Sequence, residues 1–510
     1  MTISRTRQRI ASIVAITALP LWVLPACGAS DVSTFVRVHA PRIALVHVNV
    51  VDGTAAPIKT DQTVIIDHDR IAAIGPASDI LAPPDAQVLD LRGRTVLPGL
   101  VGMHDHLFYA ADGGRKQVSL PRSFARLYLA AGVTTIRTAG TIDLQKDIAI
   151  KREIDEGREA GPKIHLSSPY MSTPPDIPTL ERAVEQWANA GVTSLKAYTN
   201  LDGPALIAAI RTAHRRGLKV TGHLCAVGFR EAAAMGIDNL EHGIIVDTEF
   251  YSRKIPDQCP DWGAAVGELT QMTVNSAAIQ QTIQQLAMHD VAVTSTLAVF
   301  ETFSDRTAFF DRRVVQLLTS GGWNDYMTEV QRRSSNPASY AGWTEALGLE
   351  MTFERSFVQA GGLLMAGADP TGWGGVLAGL ADQRNIELLV EAGFTPEQAI
   401  QIASANGATF LGQSDHIGTV ERAKQADLVV VRGNVVSRIG DIRNVEIVFK
   451  DGVGFDAQAL TLSEHGNIGS ATRWLPWTVA AIGPAIILLL MARQYVVRLR
   501  RKPEMQSKQH

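Results

Sequence analysis

Seven polar side chains in this sequence sit at the ends of short apolar runs, where they could share one chemical task. His104 and His106 close "LPGLVGMHDHL". Lys196 lies in "SLKAYT", with Tyr198 two residues further on. His223 ends "VTGH", His242 lies in "NLEHG" and Asp369 ends "MAGAD". Two neutral imidazoles on one side of a strand can share a divalent ion at about 2.0–2.1 Å each. A carboxylate beside them can hold the ion and accept a proton from water. Buried without partners these groups would be costly. A dinuclear centre held by His104, His106, Lys196, His223, His242 and Asp369 would satisfy all six. Lys196 is the odd member, because an ammonium does not ligate a metal. Either it pairs with a nearby carboxylate, or burial neutralises it and it takes up carbon dioxide. The resulting anionic carbamate could bridge two cations.

Such convergence needs a scaffold that brings strand ends together. Residues i and i+2 of a strand face the same side, so His104 and His106 point the same way. From about residue 100 to 415 short β-branched runs alternate with amphipathic helices such as "LERAVEQWANA" and "PALIAAIRTAHRRG". The runs "TVLPGLVGMHDH", "GVTTIRTAG", "PKIHLSS", "GVTSLKAYT", "GLKVTGH", "GIDNLEHG", "DVAVTSTL" and "GGLLMAGAD" make eight strands. Eight such units argue for an α/β fold, a (β/α)8 TIM barrel, whose active sites lie at the C-terminal strand ends. The barrel is expected over 99–415, with a helical excursion near 300–355 before the last strand. Alternation predicts that Glu241, next to His242, points outward. Arg137 reads equally as a barrel-interior ion-pair partner or a binder of a substrate carboxylate. His165, on strand three, reads as structural or, as the lesser alternative, as approaching the pocket, and His214 and His289 read as solvated. Short alternating runs in 43–98 return in 416–460, which predicts one small β-sandwich domain built from both flanks.

The composition is that of a globular protein: 510 residues, 46% hydrophobic, 19% charged, with a formal net charge of -3. No basic stripe lies outside the two ends, which argues against nucleic acid as a partner. The ends differ from the rest. Arg9 and Asp31 bracket 21 uncharged residues, so 1–30 reads as a signal peptide, a lipoprotein signal with Cys27 as the modified residue, or an N-terminal anchor. Arg473 and Arg493 bracket 19 more, with Trp474 and Trp477 at one edge and "RQYVVRLRRK" beyond the other. That is the pattern of a transmembrane helix over 474–497 followed by a basic cytoplasmic tail, 498–510. The positive-inside rule then places the catalytic body on the outer face of a bacterial envelope. Cys27, Cys225 and Cys259 are too few for a disulfide scaffold, and pairing of the last two is left open.

The chain resembles the amidohydrolase superfamily. The motifs that carry this are "LPGLVGMHDHL", "SLKAYT", "GHLCAVGFREAAAMGIDNLEHG", "GAD" and "ANGATFLGQSDHIGTVERAKQADLVVV", and the resemblance spans about residues 43 to 455. It is nearest to the imidazolonepropionase-related group that includes prolidase-like Xaa-Pro and other dipeptidases. The resemblance implies one metal on His104, His106 and Asp369, and a second on His223 and His242, with carboxylated Lys196 bridging. Imidazolonepropionase itself has one metal and no bridging lysine, so Lys196 favours the dipeptidase branch. The family often reads "DLGG" where Thr138–Thr141 reads "TAGT", and "GTD" where this chain reads Gly367-Ala368-Asp369. The typical glycine-lysine of the tail is Ala423-Lys424. None of these departures is expected to touch a ligand.

The function implied is a membrane-tethered hydrolase of small amides, such as dipeptides or N-acyl amino acids. Two divalent ions, zinc first, would activate water. Asp369 would shuttle its proton, and Tyr198 would stabilise the oxyanion or bind substrate. Lactone, ester or cyclic-amide hydrolysis on the same site is the alternative. A non-catalytic membrane binding protein is the reading from another class. The sequence leaves open whether the chain forms a homo-oligomer.

Overall fold

A computed structural model describes residues 32–306, 311–335 and 341–469. The strand–helix alternation closes into a barrel. A three-stranded parallel ladder joins Leu100–Asp105, Val133–Thr138 and Lys163–His165. A six-stranded parallel ladder joins Ser167–Met171, Ser194–Ala197, Lys219–Gly222, Asn239–Glu241, Ala292–Ser295 and Leu364–Ala366. Lys163–His165 and Ser167–Met171 are one strand interrupted at Leu166, so the barrel strands number eight, as the sequence predicts.

Closure between strands eight and one depends on a glycine. A Cβ on Gly367 would lie 2.3 Å from the backbone nitrogen of His104. With no side chain there, the Asp369 amide donates to the His104 carbonyl at 2.8 Å. The two strand ends that carry candidate ligands are thereby stitched together.

The helices follow from local signals. Gly203–Arg215 starts with Asp202 accepting from the Ala205 amide at 2.9 Å and has proline in its first turn. Its Leu206, Ala209, Ile210 and Ala213 recur at helical spacing and are buried against the barrel. Ile177–Asn189 is capped the same way by Asp176. The excursion before strand eight holds the helices Arg312–Leu317, Ser320–Ser334 and Ala341–Gln359.

The flanking segments form one nine-stranded sheet. Strand Arg42–Val50 pairs antiparallel with Lys59–Asp67, and parallel with Gln87–Asp90 through its first half and Arg94–Pro98 through its last residues. Arg94–Pro98 then pairs with Leu428–Arg432 from the far end of the chain. Because one long strand serves both halves, hydrogen bonding runs continuously where a two-sheet sandwich is expected. Ile43, Leu45, Val64, Val96, Leu428 and Phe449 fill its core. The salt bridge Lys163–Asp427, 2.6 Å, ties this sheet to barrel strand three.

No helix among the described residues is long and apolar enough to cross a membrane. The segments 1–30, 474–497 and 498–510, with Cys27, lie outside the described residues. Cys225 and Cys259 form a disulfide. It joins the loop after strand five to the loop after strand six, closing about 34 residues, which is worth roughly 3–4 kcal/mol in the chain-entropy account.

Candidate metal centre

The strand ends deliver their polar side chains to one cavity of about 420 Å³. His104, His106, Lys196, Tyr198, His223, His242 and Asp369 all line it. His104, His106 and Asp369 are buried, with ligand atoms within 4.8 Å of one another, as a metal would require. Asp369 Oδ1 lies 3.3 Å from His106 Nε2 and 3.8 Å from His104 Nε2. His242 Nδ1 is 3.8 Å from Asp369 Oδ2, and the His242 ring centroid is 4.4 Å from that of His104 and 4.5 Å from that of His223.

The imidazoles are held from behind, as metal-ligating histidines are. His104 Nδ1 meets Glu241 Oε2 at 2.8 Å, His106 Nδ1 meets the Gly140 carbonyl at 3.3 Å, and His242 Nδ1 meets Thr296 Oγ1 at 2.8 Å. The Tyr128 hydroxyl accepts from the His106 amide at 3.1 Å and donates to the His106 carbonyl at 3.0 Å. Gly140 is the residue of Thr138–Thr141 that coincides with the third position of "DLGG", so this backbone contact does not depend on the departure.

Glu241 departs from the outward orientation that alternation predicts. It points into the barrel and is fully buried. Besides His104 it meets Arg137 Nη2 at 3.0 Å and lies 3.3 Å from Lys196 Nζ. Strand six ends at Glu241, and His242 adopts φ 70°. That left-handed residue breaks the alternation, so neighbours that a regular strand would send to opposite faces both face the centre. The turn passes Glu350, whose carboxylate oxygen would lie 1.8 Å from a Cβ on Gly243, itself at φ 73°. Arg137 is settled as an interior ion-pair partner, also donating to Thr221 Oγ1 at 2.9 Å and to the Met103 carbonyl. His165 does not line the cavity, and His214 pairs with Asp238 at 2.9 Å.

The electrostatics suit ligands in their metal-binding forms. Burial, helped by Lys196, lowers His104 to about 4 and His223 to about 3, and burial with His104 nearby holds His242 well below its usual value. These imidazoles are neutral at pH 7. Burial pushes the Asp369 carboxyl up, but His104, His106 and His242 outweigh it and hold the group below the usual carboxylate range. Burial likewise opposes ionisation of Glu241, which Arg137, Lys196 and His104 more than offset. Lys196 is lowered, chiefly by burial. Its Nζ is buried and makes no hydrogen bond of good geometry. A buried amine of lowered pKa, whose ion-pair partner Glu241 is shared with Arg137 and His104, fits a lysine able to take up a carboxyl group. Tyr198 lines the cavity 5.4 Å from His223, ring to ring, and burial keeps its phenol protonated.

The sequence reading did not anticipate Tyr128, Thr296, Phe108, Tyr170, Phe303 and Trp373. The last four line the same cavity. A wider surface groove beside Arg384 and Arg443 carries arginines already paired with Glu301 and Glu387, and lies apart from the site.

Fold and site together define a (β/α)8 barrel with a metal-binding mouth. The amidohydrolase family model matches residues 362–454. An imidazolonepropionase of Streptomyces avermitilis is 37% identical over 115 residues, 21% of this chain and 26% of that protein. The chain thus spans about a quarter of the length of the curated relatives it matches. A solved Xaa-Pro dipeptidase with bound methionine in its active site superposes with TM-score 0.60 at 20% identity, covering 81% of this chain and 100% of that one. A structure of molinate hydrolase superposes with TM-score 0.61 at 17% identity, covering 86% and 99%. Residues 362–454 thus carry the amidohydrolase pattern, and the described residues share the fold of the prolidase-like structures.

Proposed function

We propose that this chain is a metal-dependent hydrolase that cleaves the carbon–nitrogen bond of small amides, with dipeptides and N-acyl amino acids as its substrate class. The observation that carries the reading is the buried group His104, His106 and Asp369 at the mouth of the barrel. Its imidazoles would hold one divalent ion together with Asp369. His223 and His242 would hold a second, with carboxylated Lys196 between them. Bound divalent ions, zinc first, would acidify water and polarise the scissile carbonyl. Asp369, ionised in the site, takes a proton from the attacking water as oxygen bonds to the carbonyl carbon. It returns that proton to the departing nitrogen as the carbon–nitrogen bond breaks, leaving an acid and an amine. The protonated Tyr198 phenol can donate to the carbonyl oxygen as charge develops there. Relatives named as imidazolonepropionase and Xaa-Pro dipeptidase support carbon–nitrogen hydrolysis as the reaction class.

The 3.3 Å approach of Lys196 Nζ to Glu241 favours a second reading. There Lys196 stays an ammonium, the site holds one ion, and the substrate is a cyclic amide or a lactone. Metal content separates the two. The full-length chain, purified in detergent with zinc and bicarbonate present, is expected to hold two ions. Lys196→Ala is expected to lose at least one of them and to hydrolyse no dipeptide. One ion in the parent chain, unchanged in the variant, would discard the bridged centre.

The same proposal places the chain in a bacterial envelope, tethered by 474–497 with the barrel outside. The Cys225–Cys259 disulfide suits an oxidising compartment. Alkaline carbonate washing of membranes is expected to leave the chain in the pellet. Quantitative release would remove the tether.

A further inference from the structure

The cavity has a wall that the ligating residues do not use. Phe108, Tyr170, Phe303 and Trp373 line it alongside the histidines. Phe303 follows barrel strand seven and Trp373 follows strand eight, four positions after Asp369. Their ring centroids are 4.9 Å apart. Behind Phe303 stands Trp343 at 5.2 Å, and Trp262 is 4.7 Å from Trp343. The Arg333 guanidinium sits 4.1 Å over the Trp373 ring and is itself paired to Glu329 at 3.0 Å. Rings clamped on their far side need no ordering when a ligand arrives, which favours binding. The cavity, about 420 Å³, has room for one ring and one amide.

We infer that Trp373, braced by Phe303, determines specificity in this site, and that its substrates are amides carrying a flat aromatic group beside the scissile bond. The ring lies against Phe303 and Trp373. The inference rests on the proposed amide hydrolysis and names the substrates within it.

N-benzoylglycine and N-acetylglycine test this, since both are N-acyl amino acids and only one has a ring. With the full-length, zinc-loaded chain, kcat/KM is expected to favour N-benzoylglycine by about tenfold or more. Trp373→Phe keeps a flat face, so it should retain the preference. Trp373→Leu should shrink the preference to about threefold or less. No preference in the parent chain, or the same preference in Trp373→Leu, would overturn the inference. If neither amide is hydrolysed, amide hydrolysis is the part that fails, and equilibrium dialysis of the same two compounds decides the rest. There a tenfold tighter binding of N-benzoylglycine, lost in Trp373→Leu, upholds the aromatic wall. Equal or undetectable binding of both overturns it.

Discussion

Asp369→Asn is expected to lower kcat for a hydrolysed dipeptide by about 10²–10⁴-fold, the range for losing a positioned general base. The asparagine has nearly the same shape but can neither accept the water proton nor return it to the leaving nitrogen. Asp369 also lies beside His104 and His106, so the variant should bind metal less tightly as well. The two effects separate under saturating zinc, where the loss from proton transfer remains. The fold should survive, because His104 and His242 beside Asp369 are held neutral by burial and are not left as unpaired charges. Stopped-assay rates at saturating zinc, with thermal midpoints as the control, decide the matter. A kcat within tenfold of the parent in a folded variant would remove Asp369 from the proton path.

Glu241→Gln is expected to have the largest effect on stability. Among the described residues Glu241 is the only carboxylate within 4 Å of both Arg137 and Lys196, and it also orients His104. Glutamine fills the space but leaves the Arg137 cation buried without its counter-charge. Breaking a buried pair by removing one partner costs about 3–5 kcal/mol. Loss of the carboxylate behind His104 should also weaken metal binding by about 10–100-fold. Denaturant midpoints and zinc titrations of the two proteins measure both. A stability change under about 1 kcal/mol would show that Arg137 finds other partners, such as the Met103 carbonyl it already meets.

The barrel was legible because each strand announces itself locally. Runs such as "GVTTIRTAG" and "GLKVTGH" are short, β-branched and bounded by glycine, and the helices between them carry caps and a 3.6-residue apolar period. The seven side chains at the strand ends were legible for the same reason, since position on a strand fixes the side it faces. Glu241 was not, because alternation holds only while the strand is regular, and His242 leaves it with φ 70°. The glycine at 243 was the one hint of that turn. The flanking sheet shows a similar limit. Periodicity predicts strands but not partners, and Arg42–Val50 takes three of them.

The sequence by itself determined the period of each element, the residues offered at each strand end and the uncharged stretches at both ends of the chain. These are properties of adjacent residues, set by backbone sterics and by the partition of side chains between water and core. Only the tertiary structure decided what stands behind those residues. Glu241 reaches His104 across 137 positions. Tyr128 holds His106 from a neighbouring helix, and Trp262, Phe303, Trp343 and Trp373 gather from the helices and loops that follow three different strands. No local pattern encodes such meetings. They arise when the closed barrel brings distant loops to one mouth, where packing and the pairing of buried charges select their arrangement.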